Sequence, residues 1–248
     1  MMEPYVVRFV SVRSGVGKTT LISGVSRKLL ELGLAVAAVK HSHRGVDLEE
    51  NDSRRFLEVG VREVVVSSRD LTIIYSREVS EDLVAAIQLL RKPIVLVEGF
   101  KNADVGDKVV VAENLDEAVE LVDSSTIAVV LSSKGELPQA EGVLTIQDTD
   151  KLATVIAERA EEHLLKQLPG LNCGYCGYST CKELALSVLK GGSRVCPRVL
   201  DVKLVVDGRE VPLNPFVKNV LSSVIDGLLK ALKGIPERYT SVEVRIAR

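Results

Sequence analysis

Two groups of residues in this 248-residue sequence have the types and spacing for chemistry, and the first would grip phosphate. It is the run Ser11-Val12-Arg13-Ser14-Gly15-Val16-Gly17-Lys18-Thr19-Thr20, which follows an apolar stretch and opens a helical pattern. Gly15 and Gly17 let the backbone turn its amides toward an anion, and the amino end of the following helix adds partial positive charge. Lys18 has the reach for the β- and γ-phosphates of a nucleoside triphosphate, and Thr19 offers a hydroxyl to magnesium. One position departs from the usual eight-residue pattern: Val12 stands where the first glycine is expected. A glycine-rich turn with a surface lysine is the plainer alternative, and the coincidence of strand, loop, lysine, hydroxyl and helix argues against it.

Further along, Ile94–Val97 ends in Glu98-Gly99, which places a carboxylate at the carboxyl end of a strand. There Glu98 could hold magnesium directly or through water, or be an ordinary strand-end acid. A polar cluster, Lys40-His41-Ser42-His43 followed by Asp47, Asp52 and Ser53, belongs to the same edge and could meet phosphate or a second substrate. No arginine is marked as a transition-state donor; Arg13 and Arg44 are the candidates, and slow turnover is the expectation. The Asn-Lys-x-Asp motif that reads guanine is absent, and Ser132-Ser133-Lys134 is a weak candidate for meeting a base.

The second group is made of thiols. All four cysteines fall between Cys173 and Cys196, unlike a disulfide framework spread to staple a whole secreted fold. The spacing Cys173-x2-Cys176-x4-Cys181-x14-Cys196 sets three on a glycine-containing loop and the fourth beyond a helix, so that four thiolates could converge on one centre. Thr180 and Glu183 form a capping-box pattern, which predicts a helix from Cys181 to Lys190 with its amino end toward that centre. Structural zinc favours two matched Cys-x-x-Cys pairs or a histidine, whereas one pair is present here and the nearest histidine, His163, lies outside. Ligand number and softness favour [4Fe-4S] over zinc. The centre could transfer electrons, sense redox state, or simply fold the small tail around it.

The elements that must position these groups follow an alternating rhythm. Strand-length apolar runs at Tyr5–Ser11, Leu34–Val39, Glu63–Ser67, Leu71–Tyr75, Ile94–Val97, Lys108–Ala112, Thr126–Leu131 and Val143–Ile146 are interleaved with helical patterns. The helices are expected near 17–32, 53–59, 81–90, 115–122 and 149–166. Such βαβ units predict a mostly parallel twisted sheet flanked by helices, with ligands beyond the carboxyl ends of the strands. The pattern breaks at Leu168-Pro169-Gly170, which divides the chain into a nucleotide-binding domain over 1–167 and a small α+β cysteine domain over 168–248. In the latter, Asp207-Gly208 predicts a hairpin, Pro215 opens a helix to Lys233, and a last strand is expected near Ser241–Ile246.

Composition bounds the partners. With 32 basic and 34 acidic side chains the formal charge is −2, so no global field draws the chain to nucleic acid or an anionic bilayer. No window holds the ~18 consecutive apolar residues of a membrane span, and the amino terminus reads as a strand rather than a signal, so a cytoplasmic location is expected.

The set Ser14-Gly15-Val16-Gly17-Lys18-Thr19-Thr20, Val39-Lys40-His41-Ser42-His43, Asp52-Ser53 and Val97-Glu98-Gly99-Phe100-Lys101 resembles the MobB family of molybdopterin-guanine dinucleotide biosynthesis proteins over roughly residues 5–165. The resemblance implies a P-loop protein that binds GTP with Mg2+, hydrolyses it weakly if at all, forms a homodimer, and assists the molybdopterin guanylyltransferase of molybdenum or tungsten cofactor biosynthesis. It implies triphosphate contacts from Gly15, Val16, Gly17, Lys18, Thr19 and Thr20, with Lys40, His41, Glu98 and Lys101 lining the site. The run Leu168–Gly177 with Cys181 and Cys196 is similar to the four-cysteine [4Fe-4S] module of corrinoid iron–sulfur proteins. Two rival readings of the same residues are a nucleotide-gated metallocluster carrier or redox module, and a P-loop small-molecule kinase in which Lys40, His41 and Asp52 position an acceptor.

Overall fold

Tyr5–Val10 (β1) is apolar throughout except at Arg8, and a strand buried on both faces belongs inside a parallel sheet. In the computed structural model β1 is an interior strand of a six-stranded sheet ordered β2-β5-β1-β6-β7-β8, with every neighbouring pair parallel. The other strands are β2 (Val36–Lys40), β5 (Ile94–Glu98), β6 (Asp107–Ala112), β7 (Thr126–Leu131) and β8 (Val143–Thr145). The structure describes the chain except residues 1, 43–51, 78–80, 133–141, 194–195, 197–201, 207–208, 214, 236–241 and 245–248, and except the side chains of 52, 53, 210, 215, 216, 219 and 226.

Alternation along β1 sorts its side chains onto the two faces. Tyr5, Val7 and Phe9 join the main core with Leu21, Val25 and Leu29 of α1 (Lys18–Glu31) and Leu152, Ile156, Ala160 and Leu164 of α5 (Thr149–Lys166). On the opposite face Val6 packs with Leu83 and Ile87 of α3 (Leu83–Gln88), and Val10 with Ala118 of α4 (Leu115–Val119). Helices on both faces of a parallel sheet are what the sequence rhythm predicts.

The rhythm misplaces two strands. β3 (Glu63–Ser67) and β4 (Thr72–Ser76), which follow α2 (Asp52–Glu58), form a separate antiparallel hairpin rather than joining the large sheet. Their connection is closed by Ser68, whose amide and hydroxyl both donate to the carbonyl of Leu71. A parallel crossover needs a dozen or more residues, and this link has too few.

By its internal contacts the chain groups into one unit over Met2–Cys196 and a second over Pro197–Arg248. The first includes the cysteine helix α6 (Cys181–Leu189), whose Leu184, Ala185, Val188 and Leu189 enter the main core. The second contains an antiparallel pair, β9 (Leu204–Val206) and β10 (Arg209–Val211), and α7 (Pro215–Ala231). This pair matches the expected hairpin, whose Asp207-Gly208 turn lies outside the described residues. Of the expected closing strand only 242–244 are described, and they are not in a strand.

Candidate functional site

The phosphate loop leaves β1 at Ser11 and enters α1 at Lys18. Gly17 caps the helix at φ 94°, a left-handed conformation that costs an ordinary side chain strain, and a Cβ there would stand 2.4 Å from Ile146 Cδ1. Gly15 also takes a positive φ, 84°. The Lys18 ammonium donates to Ser11 Oγ at 2.5 Å and reaches the Arg13 carbonyl at 3.4 Å, so it lies folded across the loop. Partial burial lowers its pKa, and the nearby Glu98 carboxylate opposes that shift. Val16 puts its side chain in the main core, which leaves its backbone as the part available to a ligand.

β5 delivers Glu98 beside the start of α1. The Thr19 hydroxyl lies 2.9 and 3.0 Å from the two Glu98 carboxylate oxygens, so a hydroxyl and a carboxylate share one small space. Lys40, at the end of neighbouring β2, approaches Glu98 at 3.7 Å, and the His41 ring packs on Phe100 with centroids 4.5 Å apart. The register explains the meeting, because Lys40 and Phe9 are both Cα partners of Glu98 across its two strand pairings.

A cleft of about 960 Å³ runs along this edge, lined by Ser11–Ser14, Lys18, His41, Glu98–Val105 and Glu81–Val84. Among the expected site residues, Lys18, His41, Glu98 and Lys101 face it together. Thr19 and Lys40 join through Glu98, and Thr20 is exposed at the start of α1. His43, Arg44 and Asp47 lie outside the described residues, as do the side chains of Asp52 and Ser53. Ser132 turns its hydroxyl to the Ala112 carbonyl, and Ser133 and Lys134 are not described.

Arg13, which also borders the cleft, is held by two carboxylates. It bonds Glu117 at 2.6 Å and Glu113 at 3.0 Å, which ties the loop to the start of α4. Ser11 and Phe100 are additions that sequence reasoning did not assign. Ser11 is a hydroxyl at the strand end seven residues before the lysine, and Phe100 sits inside the Val97–Lys101 run, of which only Glu98 and Lys101 are assigned to the site.

In the cysteine segment, the Thr180 hydroxyl accepts from the Glu183 amide at 3.1 Å, so α6 begins where its capping pattern predicts. Glu183 reaches back one residue further than the usual box, to the amide of Ser179 at 2.9 Å. The Cys181 amide donates to Asn172 Oδ1 at 2.8 Å, folding the loop back onto the helix start. Cys196 is buried in the main core, Cys176 and Cys181 pack against the same cluster, and Cys173 is exposed. Four soft donors, three of them on one apolar cluster, suit an iron–sulfur centre in donor type. Among the described residues no three or more Cys, His, Asp or Glu are close enough together to hold a metal ion.

Fold and loop together define a P-loop protein of the parallel α/β class. The family model described as molybdopterin guanine dinucleotide synthesis protein B, MobB, matches residues 6–132, just over half of the chain, and the chain belongs to that family. A second model, whose description gives an Fe-S cluster provisionally, matches residues 168–197 and so takes in all four cysteines. A protein of Methanocaldococcus jannaschii, named provisionally as a molybdopterin-guanine dinucleotide biosynthesis adapter protein, is 26% identical over 241 residues and 94% of each chain. The molybdopterin-guanine dinucleotide biosynthesis adapter protein of Escherichia coli is 26% identical over 155 residues, 58% of this chain and 87% of its own. The crystal structure of Bacillus subtilis MobB shares the fold, with a TM-score of 0.51 at 23% identity over 61% of this chain and 97% of that one. No helix among the described residues is long and apolar enough to cross a membrane.

Proposed function

We propose that this protein is a GTP-binding adapter of molybdopterin guanine dinucleotide biosynthesis that carries an iron–sulfur module. The observation behind this reading is the meeting of Lys18, Thr19 and Glu98 at the carboxyl ends of β1 and β5, in a chain of the MobB family. Gly15, Val16, Gly17 and Thr20 would complete the grip on the triphosphate through backbone and hydroxyl donors. Thr19 and Glu98 would hold Mg2+, which when bound neutralises phosphate charge. Lys40, His41 and Lys101 border the same edge. Because Arg13 is engaged by two carboxylates, no described arginine is placed to offset transition-state charge, and hydrolysis is slow. The adapter therefore acts by presenting guanine nucleotide to a molybdopterin guanylyltransferase, as a homodimer in the cytoplasm, with no nucleic acid or membrane involved.

Residues 1–167 are the nucleotide module and 168–248 the iron–sulfur module, a division supported by where the second family match begins. Cys173, Cys176, Cys181 and Cys196 would hold [4Fe-4S]; zinc is the alternative. One contact favours a second reading, a nucleotide-gated redox module. The Ala35 amide donates to the Leu189 carbonyl at 2.7 Å, joining the cysteine helix to the chain just before β2, whose far end carries Lys40 and His41.

Calorimetric titration of the full chain with Mg-GTP and Mg-ATP tests the reading. Preferential GTP binding that Lys18→Ala loses is the expected result, and undiminished binding by that variant would remove the site assignment. Iron and sulfide analysis after anaerobic purification should give about four of each per chain; one zinc and no sulfide would reduce the second module to a structural one.

A further inference from the structure

Arg8 lies in the middle of β1, only 3% exposed, between Cα partners Val97 and Lys108. A buried cation is costly unless its donors are satisfied. Lys108 beside it is paired with Asp123; Asp123 and Asp104 act on Arg8 through space, but among the described residues neither forms a direct ion pair with it. Its guanidinium instead donates to two backbone carbonyls, that of Val105 at 2.7 Å through Nε and, at the longer distance of 3.4 Å through Nη1, that of Phe100. These carbonyls stand at the two ends of one loop, 100–105, which forms a wall of the nucleotide cleft.

The loop's conformation needs such support. Phe100 takes φ 51°, uncommon for an aromatic residue, and that turn sets its ring against His41. Gly106, at φ 66°, returns the chain so close over β1 that a Cβ would stand 2.3 Å from the Val6 carbonyl oxygen. Between these points Lys101 and Asn102 face the cleft that also holds Lys18 and Glu98.

We propose that Arg8 is a positioning residue for nucleotide recognition: by clipping both ends of the 100–105 loop it holds Phe100 against His41 and Lys101 toward the terminal phosphate. This rests on the nucleotide reading above and assigns the loop a share in telling triphosphate from diphosphate. Arg8 is not among the residues that line the cleft, so its removal should act on selectivity and loop order rather than on folding.

The test compares the full chain with Arg8→Met, which fills the apolar space without the donors, and with Arg8→Lys, which keeps one donor. Three quantities are read: the thermal midpoint, the ratio of Mg-GDP to Mg-GTP dissociation constants, and hydrogen exchange over 99–106. The expected result for Arg8→Met is a retained thermal transition, a selectivity ratio reduced about tenfold, and faster exchange in the loop, with Arg8→Lys intermediate. An unchanged ratio and unchanged exchange in Arg8→Met would overturn the proposal. If the unaltered chain binds neither nucleotide, the nucleotide reading fails by itself and the exchange measurement alone decides whether Arg8 holds the loop. If Arg8→Met does not fold, Arg8→Lys decides by the same criteria.

Discussion

Glu98 shows how one side chain can be legible in a sequence while its neighbours are not. A carboxylate at the end of an apolar strand, downstream of a glycine-lysine-threonine loop, points to magnesium, and the structure brings it to 2.9 Å from Thr19. The bond from Lys18 to Ser11 and the ring contact between His41 and Phe100 leave no such trace, because each depends on where separate chain segments end in space. Arg8 is the extreme case: an arginine within an otherwise apolar strand reads as an interruption, and only the fold reveals the carbonyls that accept from it. At this scale Glu98→Gln should keep an acceptor for the Thr19 hydroxyl yet lose the negative charge. Manganese titration of the GTP complex, followed by electron paramagnetic resonance, should show metal affinity reduced about tenfold or more. Unaltered metal affinity would take Glu98 out of the ion site. The Lys40 contact adds little to this balance, since Lys40 is largely exposed.

Elements are legible in the sequence wherever periodicity is long and flanked by turns. α1 and α6 begin close to their expected positions because a glycine and a capping box mark their starts, and α5 does so although Asp148 before it makes no side-chain bond to the helix amides. The hairpin β3–β4 was misplaced because β-branched runs announce strands without naming their partners, and only the short Ser68–Leu71 link decides the pairing. The turn before α5 carries a pH-sensitive tie. Asp148 pairs with Lys151 and accepts from the Thr145 hydroxyl at 2.7 Å and amide at 2.8 Å, which together bring its pKa down to about 2. A depressed carboxylate pKa supports the fold above the unfolded value near 3.8 and loses that support as pH falls toward 2. Stability of the unaltered chain should therefore decline across that window more steeply than that of Asp148→Asn. Parallel denaturation curves for the two proteins would show that the tie contributes nothing.

For the molecule as a whole, the break in sequence pattern at Leu168 and the grouping of contacts up to Cys196 ask different questions, one about module origin and one about folding. α6 fills the core beside α5, with Leu184, Ala185, Val188 and Leu189 at 2% exposure or less. Full burial of a large apolar side chain is worth ~1.5–3 kcal/mol, so a chain cut after residue 167 should melt well below one cut after 196, or fail to fold. Equal thermal midpoints for the two would show that α6 adds no stability to the sheet. Composition could not reveal this dependence, because the cysteine spacing draws attention to metal while the leucines and valine behind it do the packing.

The hydrogen bond from Ala35 to Leu189 joins two segments that leave the ribosome at very different times. A growing chain exposes β1, α1 and β2 to solvent long before the ribosome reaches the cysteine helix, and a domain generally folds as a unit. Within the Met2–Cys196 unit those early strands must therefore wait for the helix that begins at Cys181 before their shared core is complete. Any metal centre on those thiols would therefore sit on a helix that the core of the sheet already needs, so assembly of the thiols and completion of the core are tied to the same stretch of chain.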